Sequence, residues 1–304
     1  MIDSASEALD WARRLHPGAQ IEEMHSRPWG RVFQMRSSSS QLWLKVNALD
    51  GPEAALLRTF ERNAIYCTPK VVAAHQESGA FIMRDAGTSC EWSSSSAAFA
   101  RILQEYAGLQ LQTVSLRAEI LASGVRALDF GSMQVVAANE LEGYWHLLGV
   151  DASVAISRMH TWATRLAELG IPHAIQHDDL HPGNVLVDNN GVHSFIDWSD
   201  ATFAHPFGSL IYPLDILSRG LPTRSSADRE RRLALDSYLE PFTRYGDRRS
   251  LEESVTLATR LACIGRALVW HRLRPLIPQE LSAAKHAYYV DGPSRWLRHL
   301  LNSQ

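Results

Sequence analysis

Residues 173–198 alternate short apolar runs with a dense cluster of carboxylate, imidazole and amide side chains, and no other stretch constrains the fold as strongly. Asn190-Gly191 separates two strand-like runs and is typical of a type I′ turn, in which both central residues have positive φ. Pro182-Gly183 precedes the first run and ends any helix there. The stretch therefore predicts a loop at 177–183 that leads into a two-stranded antiparallel hairpin.

The predicted hairpin places Asp179, Asn184 and Asp197 at one end, beside its buried middle. Two carboxylates and an amide oxygen, with no thiolate nearby, form a hard, oxygen-rich site of the kind that Mg²⁺ prefers. Mg²⁺ usually keeps several water ligands and takes phosphate oxygens as further ligands. The sequence therefore points to a phosphorylated substrate.

The chain changes character near residue 85. Before it, the apolar pattern predicts a small, mostly antiparallel sheet with one helix inserted after the third strand. After it, four stretches have helical spacing, and the only strand-like material lies in residues 173–198. A β-rich lobe followed by a helical lobe is an α+β arrangement with a cleft between, and we place the lobes at residues 1–86 and 87–304. The four helical stretches are residues 93–114, 154–170, 227–242 and 251–273.

Composition argues against several classes of partner. The net charge of −3 is too small to indicate a nucleic-acid or membrane partner. Cys67, Cys90 and Cys263 are too widely spaced for a metal site or a disulfide framework, which is typical of a reducing compartment. The N-terminus lacks the layout of a signal peptide, and no apolar run reaches about eighteen residues. We therefore expect a cytoplasmic protein.

The motif His-x-Asp-Leu-His-Pro-Gly-Asn at 177–184, followed thirteen residues after the asparagine by Ile-Asp-Trp, resembles the aminoglycoside phosphotransferase family. That family includes choline and homoserine kinases and has the protein-kinase-like fold. The resemblance implies a bilobal α+β architecture, with a small antiparallel sheet and one inserted helix in the N-terminal lobe and a larger, mostly helical C-terminal lobe. It also implies an ATP-dependent small-molecule kinase that uses Mg²⁺ and a hydroxyl acceptor.

The resemblance carries over roles for the motif residues. Asp179 is expected to be the catalytic base, which accepts or orients the proton of the attacking hydroxyl. Asn184 and Asp197 are expected to hold the Mg²⁺ ions that bridge the phosphates. His177 is expected to support the loop through a hydrogen bond to backbone, without reacting.

In the N-terminal lobe the resemblance implies a lysine on the third strand and a carboxylate partner on the following helix. Lys45 occupies the strand position, and Glu53 is the best-placed partner, with Glu61 as the second candidate. The hinge between the lobes is expected around Met83 and Asp85, whose backbone groups would contact adenine.

The sequence departs from the family pattern at several positions. No Gly-x-Gly-x-x-Gly precedes Lys45, and Asp178 stands where the family usually has glycine. We expect Asp178 to be a solvated loop residue. His205 and Ser209 occupy two positions that are acidic in many relatives, and Ser209 cannot supply the charge-assisted hydrogen bond that ties the catalytic loop to the next helix. The sequence leaves the anchoring of this loop open.

Three other classes fit part of the pattern. A protein kinase is disfavoured because only eight residues separate Asp197 from Pro206, too few for an activation segment and a peptide platform. A metal phosphohydrolase with a His177-Asp178 dyad and a distant ligand such as His160 is disfavoured because those dyads lie on helices, which Pro182 excludes here. A nucleotide-binding, pseudokinase-like regulatory protein remains the non-enzyme alternative.

The C-terminal region, expected to form much of the acceptor wall, is basic. Residues 226–304 hold thirteen Lys or Arg against nine Asp or Glu. A polycationic aminoglycoside requires clustered carboxylates, since each desolvated ammonium group must be compensated. We therefore expect a neutral or anionic acceptor. The aromatic and basic candidates for this wall are Trp270, His271, Arg272, Arg274, Tyr288, Tyr289 and Trp296.

Overall fold

The computed structural model describes residues 4–38, 40–49, 51–90, 96–219 and 224–302, and within them the chain forms a five-stranded sheet, two three-stranded sheets and a mostly helical second half. This arrangement confirms the predicted α+β class. No helix among the described residues has both the length and the apolarity needed to cross a membrane. The helices are α1 Ser4–Leu15, α2 Glu53–Arg62, α3 Ser96–Thr113, α4 Arg117–Ala122, α5 Phe130–Asn139, α6 Glu142–Leu147, α7 Ala152–Leu169, α8 Ile211–Arg219, α9 Arg224–Leu239, α10 Arg248–Leu273, α11 Ala283–Val290 and α12 Gly292–Asn302.

The N-terminal sheet has the strand order β1-β2-β3-β5-β4, and every neighbouring pair is antiparallel. Alternating side chains on its strands face opposite sides. Leu44 and Ile82 pack with α1 on one face, whereas Phe81 packs with Leu56 and Phe60 of α2 on the other. Helix α2 is therefore the predicted insertion after the third strand. The strands are β1 Gln20–Arg27, β2 Gly30–Arg36, β3 Gln41–Asn47, β4 Val71–His75 and β5 Ala80–Arg84.

A second sheet carries the hairpin predicted from the sequence. Strand β9 (Val185–Val187) pairs antiparallel with β10 (His193–Phe195), and β6 (Thr88–Ser89) adds to the other edge of β9. The chain thus passes directly from the N-terminal sheet onto the hairpin. Gly87 makes this crossing at φ +107°, and a Cβ at this position would lie 2.1 Å from the carbonyl oxygen of Val187. Only glycine fits such an approach.

The prediction of a type I′ turn in the hairpin is wrong. Gly191 has φ +76°, but Asn190 does not have positive φ. The Asp188 carboxylate accepts hydrogen bonds from the backbone N–H groups of Asn190 (2.8 Å) and Val192 (2.9 Å). This aspartate turn leaves a three-residue loop in which only the glycine needs the left-handed region. Side-chain bonding by Asp188 therefore decides the turn type.

The helical half contains more strand than the sequence indicated. Strands β7 (Arg126–Ala127), β8 (Ala174–Gln176) and β11 (Thr202–Ala204) form a third sheet in the order β7-β11-β8. Strand β8 lies within residues 173–198, but β7 and β11 do not, so the expectation that this stretch holds the only strands of this half is wrong. Strands of two or three residues are too short to show a period. The four predicted helices are present as α3, α7, α9 and α10, although residues 93–95 of the first prediction lie outside the described residues.

Candidate active site

Lys45 links the N-terminal sheet to the hairpin. It lies on β3, and its Nζ is 2.6 Å from Glu53 Oε2 and 2.6 Å from Asp197 Oδ1. Burial would lower the pKa of Lys45, but the two carboxylates outweigh it and hold this pKa above its ordinary value. Lys45 is therefore a buried, permanently charged ammonium group. Glu61, the second candidate partner, instead pairs with Lys70 at 2.5 Å.

Glu53 is oriented by the chain that follows the hairpin. Only 1% of it is exposed, and its Oε1 accepts a hydrogen bond from the backbone N–H of Trp198 (3.0 Å). The other carboxylate oxygen holds Lys45. Glu53 thus bonds both the strand that carries the lysine and the segment that carries Asp197, and fixes their separation.

Asp197 follows β10 with φ +64°, a conformation that costs a non-glycine residue free energy. Burial would raise its pKa, but the Lys45 ammonium group lowers that pKa to about 2. Ser199 Oγ donates a further hydrogen bond to Asp197 Oδ1 (2.9 Å). Asp197 is therefore an ionised carboxylate at neutral pH, the form that binds a cation.

Asp179 lies in the loop before the hairpin, beside Arg266. Its Oδ1 is 3.4 Å from Arg266 Nη2, and its Oδ2 is 3.5 Å from His181 Nε2. Burial would raise the pKa of Asp179, but Arg266 and His181 hold it below its ordinary value. Asn184 Nδ2 donates to the Asp179 carbonyl oxygen (2.9 Å), which leaves Asn184 Oδ1 as an acceptor suited to a cation.

His177 supports the loop as predicted. It is fully buried, and its Nε2 lies 2.8 Å from the carbonyl oxygen of Ile196. Its Nδ1 accepts a hydrogen bond from the backbone N–H of Asp179 (3.3 Å), so the tautomer carries its proton on Nε2. Burial lowers the pKa of His177 and keeps the ring neutral. Both ring nitrogens are thus bonded within the protein.

Tyr106 and Ser209 answer the open question of how the loop is anchored. The Tyr106 hydroxyl lies 2.8 Å from Ser209 Oγ and accepts a hydrogen bond from the backbone N–H of His177 (2.9 Å). Ser209 Oγ lies 3.3 Å from the same N–H. Gln110 donates to Ser209 and to the carbonyl oxygen of Pro206. A buried network of neutral groups therefore takes the place of the family's charged anchor.

Asp178 is not the solvated loop residue that the sequence suggested. It is 1% exposed, and its carboxylate accepts hydrogen bonds from Gln176 Nε2 (2.6 Å) and Thr202 Oγ1 (2.7 Å). Its φ of +64° explains why the family usually has glycine here, and aspartate is among the residues that tolerate this region. Burial raises the pKa of Asp178 to about 7. Asp178 is therefore an internal polar group of the loop.

Arg266 on α10 was not predicted from the sequence. It is 3% exposed; its Nη1 donates to the Asp178 carbonyl oxygen (2.8 Å) and lies 3.5 Å from Asp200 Oδ2. Its guanidinium carbon lies 5.0 Å from the ring centroid of Tyr212. The sequence did contain a signal for Arg266, because a basic residue inside the apolar stripe of a long helix is buried only when it has polar partners.

A narrow cavity of about 60 Å³ separates the two sides of the site. Asp179 and Asp197 both line it, together with Asp200 and Arg272. Trp29, on the turn between β1 and β2, closes one side, with its ring centroid 5.9 Å from that of Trp270. The turn that carries Trp29 thus lies beside the cavity, and it contains no glycine-rich loop.

The two residues predicted at the hinge lie at the end of β5. Met83 pairs with Trp43 of β3, and the Trp43 indole N–H donates to Asp85 Oδ1 at 2.6 Å. The Asp85 side chain is therefore bonded back to the sheet. Contact of this segment with adenine stays a prediction.

Comparison with known proteins identifies related families. A family model described as the phosphotransferase enzyme family matches residues 134–233, which include Asp179, Asn184 and Asp197. No curated protein matches the sequence.

Solved structures resemble the whole chain at low sequence identity. An ethanolamine kinase from Plasmodium vivax has a TM-score of 0.71 at 10% identity, covering 96% of this chain and 86% of that one. A choline/ethanolamine kinase family protein from Mesorhizobium loti has a TM-score of 0.62 at 15% identity, covering 99% and 95%. A macrolide 2′-phosphotransferase from Brachybacterium faecium has a TM-score of 0.60 at 16% identity, covering 94% and 97%. The chain has the bilobal kinase-like fold, and the match over residues 134–233 confirms the resemblance to the phosphotransferase family that the motif predicted.

Proposed function

We propose that the protein transfers the γ-phosphoryl group of ATP to a hydroxyl group of a small molecule. The observation that carries this proposal is the position of Lys45, which bonds Glu53 and Asp197 across the cleft while the ionised Asp179 lines the same cavity. Two carboxylates on one cavity, one of them bonded to a fixed cation behind it, supply the metal ligand, the base and the positive charge that phosphoryl transfer requires.

The nucleotide would bind between the N-terminal sheet and the hairpin. Asp197 and Asn184 Oδ1 would hold Mg²⁺, which would offset the negative charge of the phosphate groups. Lys45 would donate to phosphate oxygens, and Glu53 would keep the lysine oriented. Because Asp197 is already ionised, no proton must leave it when the metal binds.

Asp179 would orient the acceptor hydroxyl by accepting its hydrogen bond. The hydroxyl oxygen then bonds to the γ-phosphorus as the bond to the β–γ bridging oxygen breaks, and the hydroxyl proton passes to Asp179. A carboxylate whose pKa is lowered by Arg266 is a weak base, so this proton moves late. That order suits the loose transition state of phosphoryl transfer.

A nucleotide-binding regulatory protein without turnover is the alternative, favoured by the aromatic turn at Trp29 in place of a glycine loop. A metal phosphohydrolase is disfavoured because both ring nitrogens of His177 are bonded within the protein. His160, the distant ligand that this class would need, lies on α7 and contacts Gln134.

The test combines calorimetric titration of Mg²⁺–ATP with transfer of labelled γ-phosphate to a panel of hydroxyl compounds. Asp197→Ala should abolish metal-dependent nucleotide binding. Asp179→Asn should retain binding but lose about 10²-fold or more in transfer. Glu61→Gln, a surface carboxylate on the same helix as Glu53, is the control. Nucleotide binding without transfer to any compound would support the regulatory alternative instead.

A further inference from the structure

The helical half contains a cavity of about 550 Å³ to which nothing above assigns a role. Helices α8, α9, α10, α11 and α12 enclose it, so it belongs entirely to the helical half. Its volume matches that of sites for organic ligands. Its described lining residues are Ile211, Tyr212, Leu214, Asp215, Arg231, Val255, Thr256, Thr259, Arg260, Trp270, Tyr288, Arg295, Trp296 and His299.

Two of the lining residues connect this cavity with the catalytic loop. The Tyr212 ring lies 5.0 Å from the guanidinium carbon of Arg266, which itself lies against Asp179. On the other side, Trp270 contacts Trp29, which lines the narrow cavity beside Asp179. Tyr212 and Trp270 therefore form the boundary between the large cavity and the groups that surround the proposed base.

The lining is positively charged. Arg231, Arg260 and Arg295 line the cavity, and Asp215 is the one carboxylate among the described lining residues. Within the described part of the chain, none of these three arginines forms a salt bridge with a carboxylate. A cationic ligand would thus meet like charge, whereas an anionic ligand would find guanidinium groups that remain uncompensated by the protein.

Aromatic rings hold two of these guanidinium groups in place. Arg295 lies 4.0 Å from the ring centroid of Tyr288, and its Nη1 donates to the Tyr288 carbonyl oxygen (2.9 Å). Arg260 lies 5.4 Å from the ring of Trp162. Stacking fixes a guanidinium group while leaving most of its N–H donors for a ligand, and such pre-organisation reduces the entropy lost on binding.

We infer that the acceptor is an alcohol that carries an anionic group, a carboxylate or a phosphate ester, on an apolar, ring-bearing skeleton. This inference rests on the proposed function and specifies the substrate class of the same site. Arg231, Arg260 and Arg295 would bind the anionic group, and the rings of Tyr212 and Trp270 would contact the skeleton. The hydroxyl would face the boundary formed by Tyr212 and Trp270, and these side chains would move aside to let it reach Asp179.

The test uses ring-bearing alcohols that differ only in charge. On a phenylpropane skeleton these are 3-phenyllactate, 3-phenylpropane-1,2-diol, 1-amino-3-phenylpropan-2-ol, and 2-hydroxy-3-phenylpropyl phosphate, and a naphthyl series provides the same four forms. Calorimetry without nucleotide should show that the carboxylate or phosphate form binds at least about tenfold more tightly than the ammonium form. The stronger of the two anionic forms identifies the anionic group.

Arginine variants separate this inference from a general effect of charge. Arg260→Gln and Arg295→Gln should each weaken binding of the anionic form about tenfold and leave binding of the neutral diol unchanged. Arg298→Gln is the matched control, because Arg298 lies on the same helix as Arg295 but pairs with Asp291. An ammonium form that binds as tightly as its anionic counterpart overturns the inference, as do arginine variants without effect, or no binding by any anionic form.

The outcomes also separate this inference from the proposed function. Transfer of phosphate to cationic alcohols alone would overturn the anionic acceptor and leave the kinase proposal intact. Binding of Mg²⁺–ATP and of an anionic alcohol without phosphoryl transfer would overturn the kinase proposal and leave the assignment of the cavity intact.

Discussion

Two buried ion pairs face each other across the cleft, and they are built in different ways. On the side of the N-terminal sheet, Lys45 pairs with Glu53, eight positions along the chain, and also with Asp197. On the helical side, Arg266 donates to the carbonyl oxygen of Asp178, which lies in the loop before the hairpin, 88 positions earlier in the chain. One cation shared by two carboxylates leaves local negative charge, which suits a metal ion. Arg266 also lies near two carboxylates, Asp179 and Asp200, but in addition it donates to the backbone of the loop at the Asp178 carbonyl oxygen.

The Lys45 side of the site would therefore change its bonds when a ligand binds, whereas the Arg266 side is formed without a ligand. Binding of Mg²⁺–ATP must redistribute the bonds of Lys45, because Asp197 would bind the metal ion. Arg266 has no such rearrangement to make, since its bonds to Asp178, Asp179 and Asp200 need no nucleotide. Substitutions on each side of the cleft test this difference.

The largest effect is expected for Lys45→Ala. Glu53 and Asp197 would then lose their shared cation, and Glu53 is almost completely buried. Removing one member of a buried pair costs about 3–5 kcal/mol in the free energy of unfolding. Urea denaturation measures this loss. Lys70→Ala, which breaks the surface pair with Glu61, should cost less than about 1 kcal/mol; equal losses would contradict the comparison.

Arg266→Gln tests the helical side. Without the guanidinium group the pKa of Asp179 should rise, so the acid limb of the pH profile of kcat/KM should move to higher pH. The free energy of unfolding should fall by about 2 kcal/mol. Arg266→Lys should restore much of the pH profile, because it returns the positive charge. A pH profile that stays unchanged in Arg266→Gln would show that Arg266 does not set the ionisation of Asp179.

Tyr106→Phe sharpens the comparison by removing a neutral anchor of the same loop. The backbone N–H of His177 would keep only its longer contact with Ser209. We expect a loss of about 1–2 kcal/mol in the free energy of unfolding, the range for a weakened buried hydrogen bond. Tyr66→Phe, at a position that is 73% exposed, provides the control. A loss as large as that of Arg266→Gln would mean that charge contributes little to holding the loop.

The smallest effect is expected for Asp178→Asn, and it depends on pH. The pKa of Asp178 is raised to about 7 in the folded protein from an ordinary value of 3.8. The folded state therefore binds this proton more tightly, and the resulting stability is lost as pH rises from about 4 through 7. Between pH 6 and pH 8, the free energy of unfolding of the variant should therefore fall by about 1.4 kcal/mol less than that of the native protein. Parallel urea titrations at the two pH values test this, and equal pH dependence would contradict the raised pKa.

Local spacing explains what the sequence could predict. Asp179, Asn184 and Asp197 occupy one loop and hairpin, so their approach followed from the motif and the turn between two strands. The pairing of Lys45 with Glu53 was implied by the family resemblance, and the two residues lie on a strand and on the helix that comes directly after it. In both cases the predicted neighbours belong to consecutive elements.

Contacts between distant elements could not be predicted. Asp178 was expected to be solvated because it is charged, yet its environment comes from Thr202 on β11 and Arg266 on α10. Tyr106 on α3 anchors the loop from 71 positions before His177. Such burial depends on tertiary packing, which neither periodicity nor residue type encodes. The type I′ turn predicted at Asn190-Gly191 was wrong for a local reason, because the Asp188 side chain accepts hydrogen bonds from the backbone of the turn.

The close contact at Gly87 limits how the N-terminal sheet can move. Thr88 and Ser89 are hydrogen-bonded into the same small sheet as the hairpin, so the N-terminal sheet cannot draw away from the hairpin at that edge. We expect an opening of the cleft to be a rotation about this edge, and in the strand order β1 is the strand farthest from β5. Displacement therefore increases along the sheet and is largest at the turn that carries Trp29. The entrance to the cleft widens while the spacing at its inner end stays constant.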